Sequence, residues 1–445
     1  MPRPQANRED SHRIWRALPA GLARPRLWQL FVAVAAGTVA IACQSGSGGS
    51  TLDARADTSS RRVTQVNIVI AAEALARLDA NPFHAPDEIG DVVIDGVSYP
   101  GVDVNYRGAW TLLDVHALGL RNWKVKFKKA QPYRHRREWN FNYEPDLKQR
   151  LALELMDANG VKVSSAEHVI VSLNGVYQGV YLQYEDPDNA DWLAEKFGDS
   201  TGDLYKAANY TPGDPVKIYA SLEAVDPQDP MLSQRYNKKT NKDTVPIDYA
   251  SLFAFLDGLN GVTDGELPQW LANNFDVDGF IRYLVVANFI SHWDAHPVRP
   301  KNFWLYQDRR AHKMVHIPWD MNEVLADKDP LIDEGFNQMG IHCPIFFNMP
   351  SGDYQPMSAQ EPTGRPLTDR MMGLQEHRDT YVALYRQAME TIFLPNRLQQ
   401  RVDELAAYIH DEASSSDQQQ LEASADAIKG YLNARYQSVA DELAR

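Results

Sequence analysis

Cysteine is nearly absent: Cys43 and Cys343 are the two in 445 residues, so a disulfide-stapled fold is excluded and buried apolar surface must supply the stability. A long membrane-spanning run is also missing, since the one candidate, Leu27 to Ala42, is short and rich in small residues. Positive charge is in deficit. Forty-five Lys and Arg stand against 59 Asp and Glu, a formal charge of −14, which argues against a nucleic-acid partner because phosphate backbones select a basic surface. No Walker pattern, no ordinary Gly-rich nucleotide loop and no internal repeat occurs. What is present, 44% hydrophobic residues with 10% aromatic, is the composition of an ordinary globular domain.

The N-terminus carries Arg13, Arg16, Arg24 and Arg26 ahead of the apolar stretch, which ends at Ala40, Ile41, Ala42 and Cys43. This resembles a lipoprotein signal peptide, with Ala40 where leucine is usual and a small residue before the cysteine. It implies that residues 1–43 are a signal peptide lipidated at Cys43. Residues 44–61 begin with a Gly/Ser-rich segment, a flexible tether by composition. The bacterial sorting rule, with Gln44 after the cysteine, points to an exported protein anchored in the envelope, at the outer membrane or surface. Residues 62–445 remain, enough for one large catalytic domain of two lobes, divided near 215/216.

The first lobe reads as strand-rich. Alternation marks strands from Val63 to Ile70, Ser98 to Tyr106 and Trp123 to Phe127, while Asn174-Gly175 predicts a tight hairpin between Ala166–Leu173 and Tyr177–Tyr184. A helix is predicted from Leu147 to Ala158, capped by Asp146 and stopped at Asn159-Gly160. The second lobe reads as helical from Ile247 onward, including one segment from Val277 to Trp293. Its β insertion is a short strand pair, Asn302 to Tyr306 and Lys313 to Ile317, with Asp294 and Asp320 at its edges. The stretches from Asp214 to Asp243 and from Asp327 to Met357 read as long loops.

Several motifs occur in a fixed order: Val171 to Tyr181, Gly202 to Lys206, His292-Trp293-Asp294, Lys301 to Tyr306, and Ile317 to Asp320. Together with Pro366 to Arg370 they resemble the CotH kinase family, named for a spore-coat protein kinase, from about Val66 to about Ile409. The resemblance implies an α+β, two-lobed, atypical protein-kinase-like fold with a strand-rich N-lobe and a helix-rich C-lobe. It implies ATP, a magnesium or manganese ion, and a protein substrate phosphorylated on Ser or Thr. The competing expectation is a catalytically weak kinase-like protein that serves in surface or coat assembly.

By the same resemblance Asp294 is the catalytic acid that orients and deprotonates the acceptor hydroxyl. Asp320 is the metal-binding aspartate, and Asn302 a second metal ligand. Hard oxygen donors suit magnesium, and phosphoryl transfer depends on positioning and charge neutralisation. On the nucleotide side, Lys124 and Lys126 lie on the face of their strand opposite Trp123, Val125 and Phe127, so Lys124 first and Lys126 second are expected at the phosphates, with Arg107-Gly108 on the strand before. Glu154 reads as an exposed charge on its helix, with pairing to Lys124 as the other possibility, and Glu185-Asp186 are given no chemistry. Two positions depart from the family pattern: Asn322 stands where a second acid is common, and Val324-Leu325 where Phe-Gly is usual. His292, His296, His312, His316 and His342 crowd the region, but their spacing matches no standard zinc motif.

Overall fold

In the computed structural model the described residues are 62–208, 217–327, 339–347, 349, 356 and 361–445. The expected signal peptide, the tether and Cys43 lie outside them. The first seven strands close on themselves. They are β1 (Thr64–Val69), β2 (Glu88–Ile94), β3 (Val97–Tyr106), β4 (Trp123–Lys126), β5 (Glu138–Tyr143), β6 (Ala166–Leu173) and β7 (Val176–Tyr184), joined in the order β1-β2-β3-β4-β5-β7-β6. Every contact is antiparallel except the closing one, where β6 lies parallel to β1 with Val66 opposite Val171. Closure leaves no open edge, and the inward side chains of the alternating strands, among them Val66, Ile68, Val104, Trp123, Val125, Phe141 and Tyr181, fill the interior.

Turn chemistry sets the register. Asn174 and Gly175 both take positive φ, 51° and 79°, as a two-residue hairpin requires. The Asn174 side chain also clasps the end of β1, accepting from Ile70 N at 2.9 Å and donating to Ile70 O at 3.0 Å. Four helices punctuate the barrel region: α1 (Ala72–Ala80), α2 (Trp110–Ala117), α3 (Lys148–Ala158) and α4 (Ala190–Phe197). α3 begins at Lys148, one residue later than expected, with Leu147 at the N-cap position; Asp146, just before it, still serves the first turn, its Oδ1 accepting from Lys148 N at 2.6 Å, and Gly160 ends that helix at φ 82°.

A second sheet follows, built from β8 (Leu204–Ala207), β9 (Tyr236–Lys238), β10 (Phe303–Asp308) and β11 (Lys313–Pro318) in the order β11-β10-β8-β9. The division expected near 215/216 therefore falls between two strands that pair, β8 and β9. The stretch read as a loop to Asp243 holds β9 and the short helix α5 (Leu232–Arg235). The remaining helices are α6 (Ala250–Gly261), α7 (Leu267–Asn274), α8 (Val277–Phe289), α9 (Pro366–Gly373), α10 (Gln375–Thr391), α11 (Pro395–His410) and α12 (Ser415–Leu443). They share one core with α3, in which Leu151, Leu155, Leu284, Val285, Phe289, Leu405 and Leu432 are buried. A strand-rich region thus precedes a helical one. Among the described residues no helix is long and apolar enough to cross a membrane.

Glu154 departs from expectation. It is 2% exposed, neither on a solvated face nor paired with Lys124, and binds Arg150 Nε at 2.7 Å and Arg401 Nε at 2.9 Å, so it ties α3 to α11. Helical periodicity puts it on a buried face, and two arginines from different elements make that burial tolerable. Burial alone would raise its pKa, but the arginines outweigh it and hold the carboxyl at about 2, below its ordinary 4.5. The folded state therefore binds fewer protons there, so this stabilisation is complete above pH 4.5 and lost as pH falls toward 2. Glu154→Gln should lower stability by about 3–5 kcal/mol at pH 7, because two guanidiniums lose their counter-charge. Urea unfolding across pH should show the gap to wild type narrowing below pH 4.5.

Candidate functional site

Three residues in left-handed backbone shape the loops that flank the β10–β11 pair: Ser291 at φ 53°, Asn302 at 57° and Asp320 at 58°. The first explains why α8 stops at Phe289 and not at Trp293. Ser291 N bonds Asn288 O at 3.2 Å and His292 N bonds Ala287 O at 2.8 Å, the paired bonds of a Schellman stop, with serine where glycine is usual. The chain then leaves the helix and presents Asp294 in a loop. Strain of this kind in a non-glycine residue persists where the surroundings over-determine it.

That loop closes on itself. Asn302 Nδ2 donates to Asp294 O at 2.9 Å and to Asp294 Oδ2 at 3.0 Å, and Lys301 Nζ lies 2.7 Å from Asp294 Oδ1. The amide of Asn302 is thereby oriented, since its nitrogen is engaged by Asp294 and its oxygen points elsewhere. The β10–β11 pairing, with Phe303 opposite Pro318 and Trp319 N bonded to Asn302 O at 3.1 Å, sets Asp320 beside Asn302. His292 adds a tie, its Nε2 3.2 Å from the Asp320 carbonyl, which can only accept, so Nε2 carries the proton. Burial keeps this ring neutral, with its pKa pushed down to about 4.

Asp320 is the outlier of the group. Among the described residues its carboxylate accepts no hydrogen bond. Burial raises its pKa and the neighbouring Asp294 charge raises it further, against the pull of Arg107, Lys301 and Lys206. Glu323, at the exposed rim, feels both acids as well, one residue beyond the amide of Asn322.

The opposite wall is cationic. Lys124, on β4, is held 2.8 Å from Glu138 and 3.3 Å from Asp186; burial lowers its pKa, but Asp186, Asp188 and Glu138 outweigh that and raise it. Lys126 lies further out, 3.6 Å from Glu138 with a side chain 40% exposed. Arg107 donates to Asn142 and to the Tyr184 hydroxyl, and its charge reaches Asp186 and Asp320. Two further groups have no role among the sequence expectations. Asp186, which follows β7, is held ionised by Lys124, Arg107 and Lys206 despite burial. Lys206, on β8, has its ammonium 5.3 Å from the Trp304 ring and 5.6 Å from the Trp319 ring, and burial pushes its pKa down to about 8. A lysine inside the otherwise apolar run Leu204, Tyr205, Ala207 was the available signal.

Two of the histidines pack together, the His296 and His316 rings 6.0 Å apart, but in an aromatic setting and not as a ligand set. His296 bonds Thr368 at 2.9 Å, and His316 packs among Phe280, Tyr283 and Phe303, kept neutral by burial at about 3. Among the described residues no group of three or more His, Cys, Asp or Glu is disposed to hold a metal ion. Magnesium does not require one: it is commonly held by one or two protein oxygens together with substrate phosphates and water. Asp320, with an unengaged carboxylate, and Asn302, with its amide oxygen turned away from Asp294, are a donor set of that kind.

The family model described as CotH kinase protein matches residues 104–439. Inner spore coat protein H of Bacillus subtilis (strain 168) is 22% identical over 353 residues, which is 77% of this chain and 87% of that protein. Among solved structures, the Shewanella oneidensis MR-1 toxin–antitoxin complex of HipA, HipB and operator DNA aligns at 14% identity over 85% of this chain and 73% of that one. Its TM-score of 0.33 is too low to bear on the fold.

Because burial and the Asp294 charge raise its carboxyl pKa, ionised Asp320 weakens the fold at neutral pH, and Asp320→Asn should stabilise the metal-free protein. Asparagine also accepts the left-handed backbone. Thermal unfolding in EDTA should show a midpoint a few degrees above wild type.

Proposed function

The chain belongs to the CotH kinase protein family, and from that premise we propose that it transfers the terminal phosphoryl group of ATP to Ser or Thr of an exported or envelope protein. The observation that carries the reading is the meeting of three oxygen-bearing side chains, two acids and an amide (Asp294, Asp320, Asn302), with a set of cations (Arg107, Lys124, Lys206). Phosphoryl transfer asks a protein for this combination and for little else.

In this reading Asp294 accepts the proton of the acceptor hydroxyl, its orientation fixed by Asn302 and its second oxygen paired with Lys301. The Asp320 carboxylate and the Asn302 amide oxygen hold the divalent cation. When bound, magnesium or manganese neutralises charge on the nucleotide phosphates. Arg107 faces those phosphates from the barrel and Lys206 from the second sheet. Lys124 is committed to Glu138 and Asp186, so its part is to hold that acidic pair in place and only secondarily to meet phosphate. Lys126, further out and more exposed, contributes least. The exported, lipid-anchored setting at Cys43 belongs to the same proposal, supported by the arginine-led apolar segment and the Gly/Ser-rich stretch after it.

Two measurements test it. With radiolabelled ATP, manganese or magnesium and a casein acceptor, wild type should transfer label while Asp294→Asn and Asp320→Ala fall at least a hundredfold with unchanged circular dichroism. Full transfer by either variant removes that residue's role, and absence of transfer by wild type favours a binding or assembly protein. For nucleotide affinity by calorimetry, Lys206→Met should weaken ATP binding about tenfold or more, and Lys124→Met less, because the Lys124 charge is already met by two carboxylates.

A further inference from the structure

Both carboxylate oxygens of Asp294 are engaged within its own loop. Oδ2 accepts from Asn302 Nδ2 at 3.0 Å, and Oδ1 lies 2.7 Å from Lys301 Nζ. An ammonium at that distance favours the anion, and a proton arriving on the same oxygen is repelled by it. The base of the proposed reaction is therefore held in an unreactive pairing, and it becomes a competent proton acceptor only as the ammonium withdraws.

The two partners of Asp294 differ in freedom. Asn302 also donates to the Asp294 carbonyl, at 2.9 Å, from left-handed backbone, so its amide is fixed at two points. The Lys301 backbone is anchored, its N bonding Arg299 O at 2.8 Å and its O accepting from His296 N at 3.2 Å, but its ammonium ends a flexible four-carbon stem. The Lys301 and Asp294 side chains are 18% and 15% exposed, so the ammonium can swing without opening the core. Its charge also bears on Asp320. It therefore sits within reach of both acids, where the terminal phosphate lies if Asp320 holds the cation and Asp294 meets the hydroxyl. A phosphate oxygen offers this ammonium a charge-assisted hydrogen bond of the same kind as the one it gives up.

We propose, on the phosphotransfer reading above, that Lys301 is a catalytic residue that exchanges partners: it caps Asp294 until nucleotide binds, then passes to the terminal phosphate, freeing Asp294 Oδ1 only when the donor is in place. The acceptor hydroxyl then gives its proton to Oδ1 and its oxygen bonds to the terminal phosphorus. The bond from that phosphorus to the bridging oxygen breaks, and ADP leaves with the electron pair. Lys301 stays protonated throughout and neutralises charge on the group being transferred.

The test is calorimetry on the full chain with manganese, comparing a non-hydrolysable ATP analogue with ADP, followed by label transfer from ATP to casein. Wild type should prefer the triphosphate analogue. Lys301→Met should cut that preference about tenfold while ADP affinity holds, because Lys301 meets only the terminal phosphate. Its transfer rate should fall by about a hundredfold or more. Lys301→Gln can still hydrogen-bond Asp294 but carries no charge, so it should lose preference and transfer as the Met variant does, and it carries the test alone if that variant does not fold. Lys301→Arg keeps the charge and should keep the preference. An undiminished triphosphate preference in the Met and Gln variants, or full transfer by the Gln variant, overturns the exchange and leaves Lys301 as a support for Asp294, with the kinase reading intact. Absence of transfer by wild type instead overturns the phosphotransfer reading, and the exchange with it.

Discussion

The structure turns on two carboxylates, Asp294 and Asp320, kept close enough that burial and the Asp294 charge together raise the cost of ionising Asp320. Asp294 is compensated locally, by Lys301 and by the Asn302 amide. Asp320 is not. Its charge is answered only at longer range by Arg107, Lys206 and Lys301, and the backbone that carries it is left-handed. An uncompensated acid in a constrained position is a stability cost, and such costs are retained where a cation or substrate relieves them.

The rest of the fold can be understood as what holds that arrangement still. The closed barrel fixes Arg107, just past the end of β3, near Lys124 of β4, with Asn105 of β3 in register with Lys124. The second sheet brings Lys206 of β8 opposite Trp304 of β10, so the ammonium rests on aromatic faces that attract a cation without neutralising it. The Schellman stop of α8 turns the chain so that Asp294 enters the cleft, and the β10–β11 hairpin returns it at Asp320. Behind the barrel, the Arg150–Glu154–Arg401 cluster locks α3 to α11 by charge in a protein whose single described cysteine, Cys343, is buried and in no disulfide.

Much of this was legible in the chain. The Asn174-Gly175 hairpin, helix α3 and the placing of Asp294, Asn302 and Asp320 at the edges of a strand pair rest on local rules, turn chemistry and alternation, that tertiary context seldom overrides. What escaped depends on distant partners. Glu154 looked like a solvated helix charge because nothing local announces Arg401, 247 residues away. Lys206 and Asp186 acquire meaning only when two sheets face each other, and strands as short as β8 and β9 carry too few residues for alternation to stand out. Closure of β6 onto β1 across about a hundred residues is likewise invisible to a periodicity argument.

If the unrelieved Asp320 charge is the feature around which the cleft is built, a divalent cation should bind there with the nucleotide and depend on that one carboxylate. Manganese titrated into the full chain in the presence of a non-hydrolysable ATP analogue, followed by electron paramagnetic resonance, measures this directly. Saturable binding in wild type that is lost in Asp320→Ala is the expected result. Equal manganese binding in both proteins would contradict the central role given to Asp320.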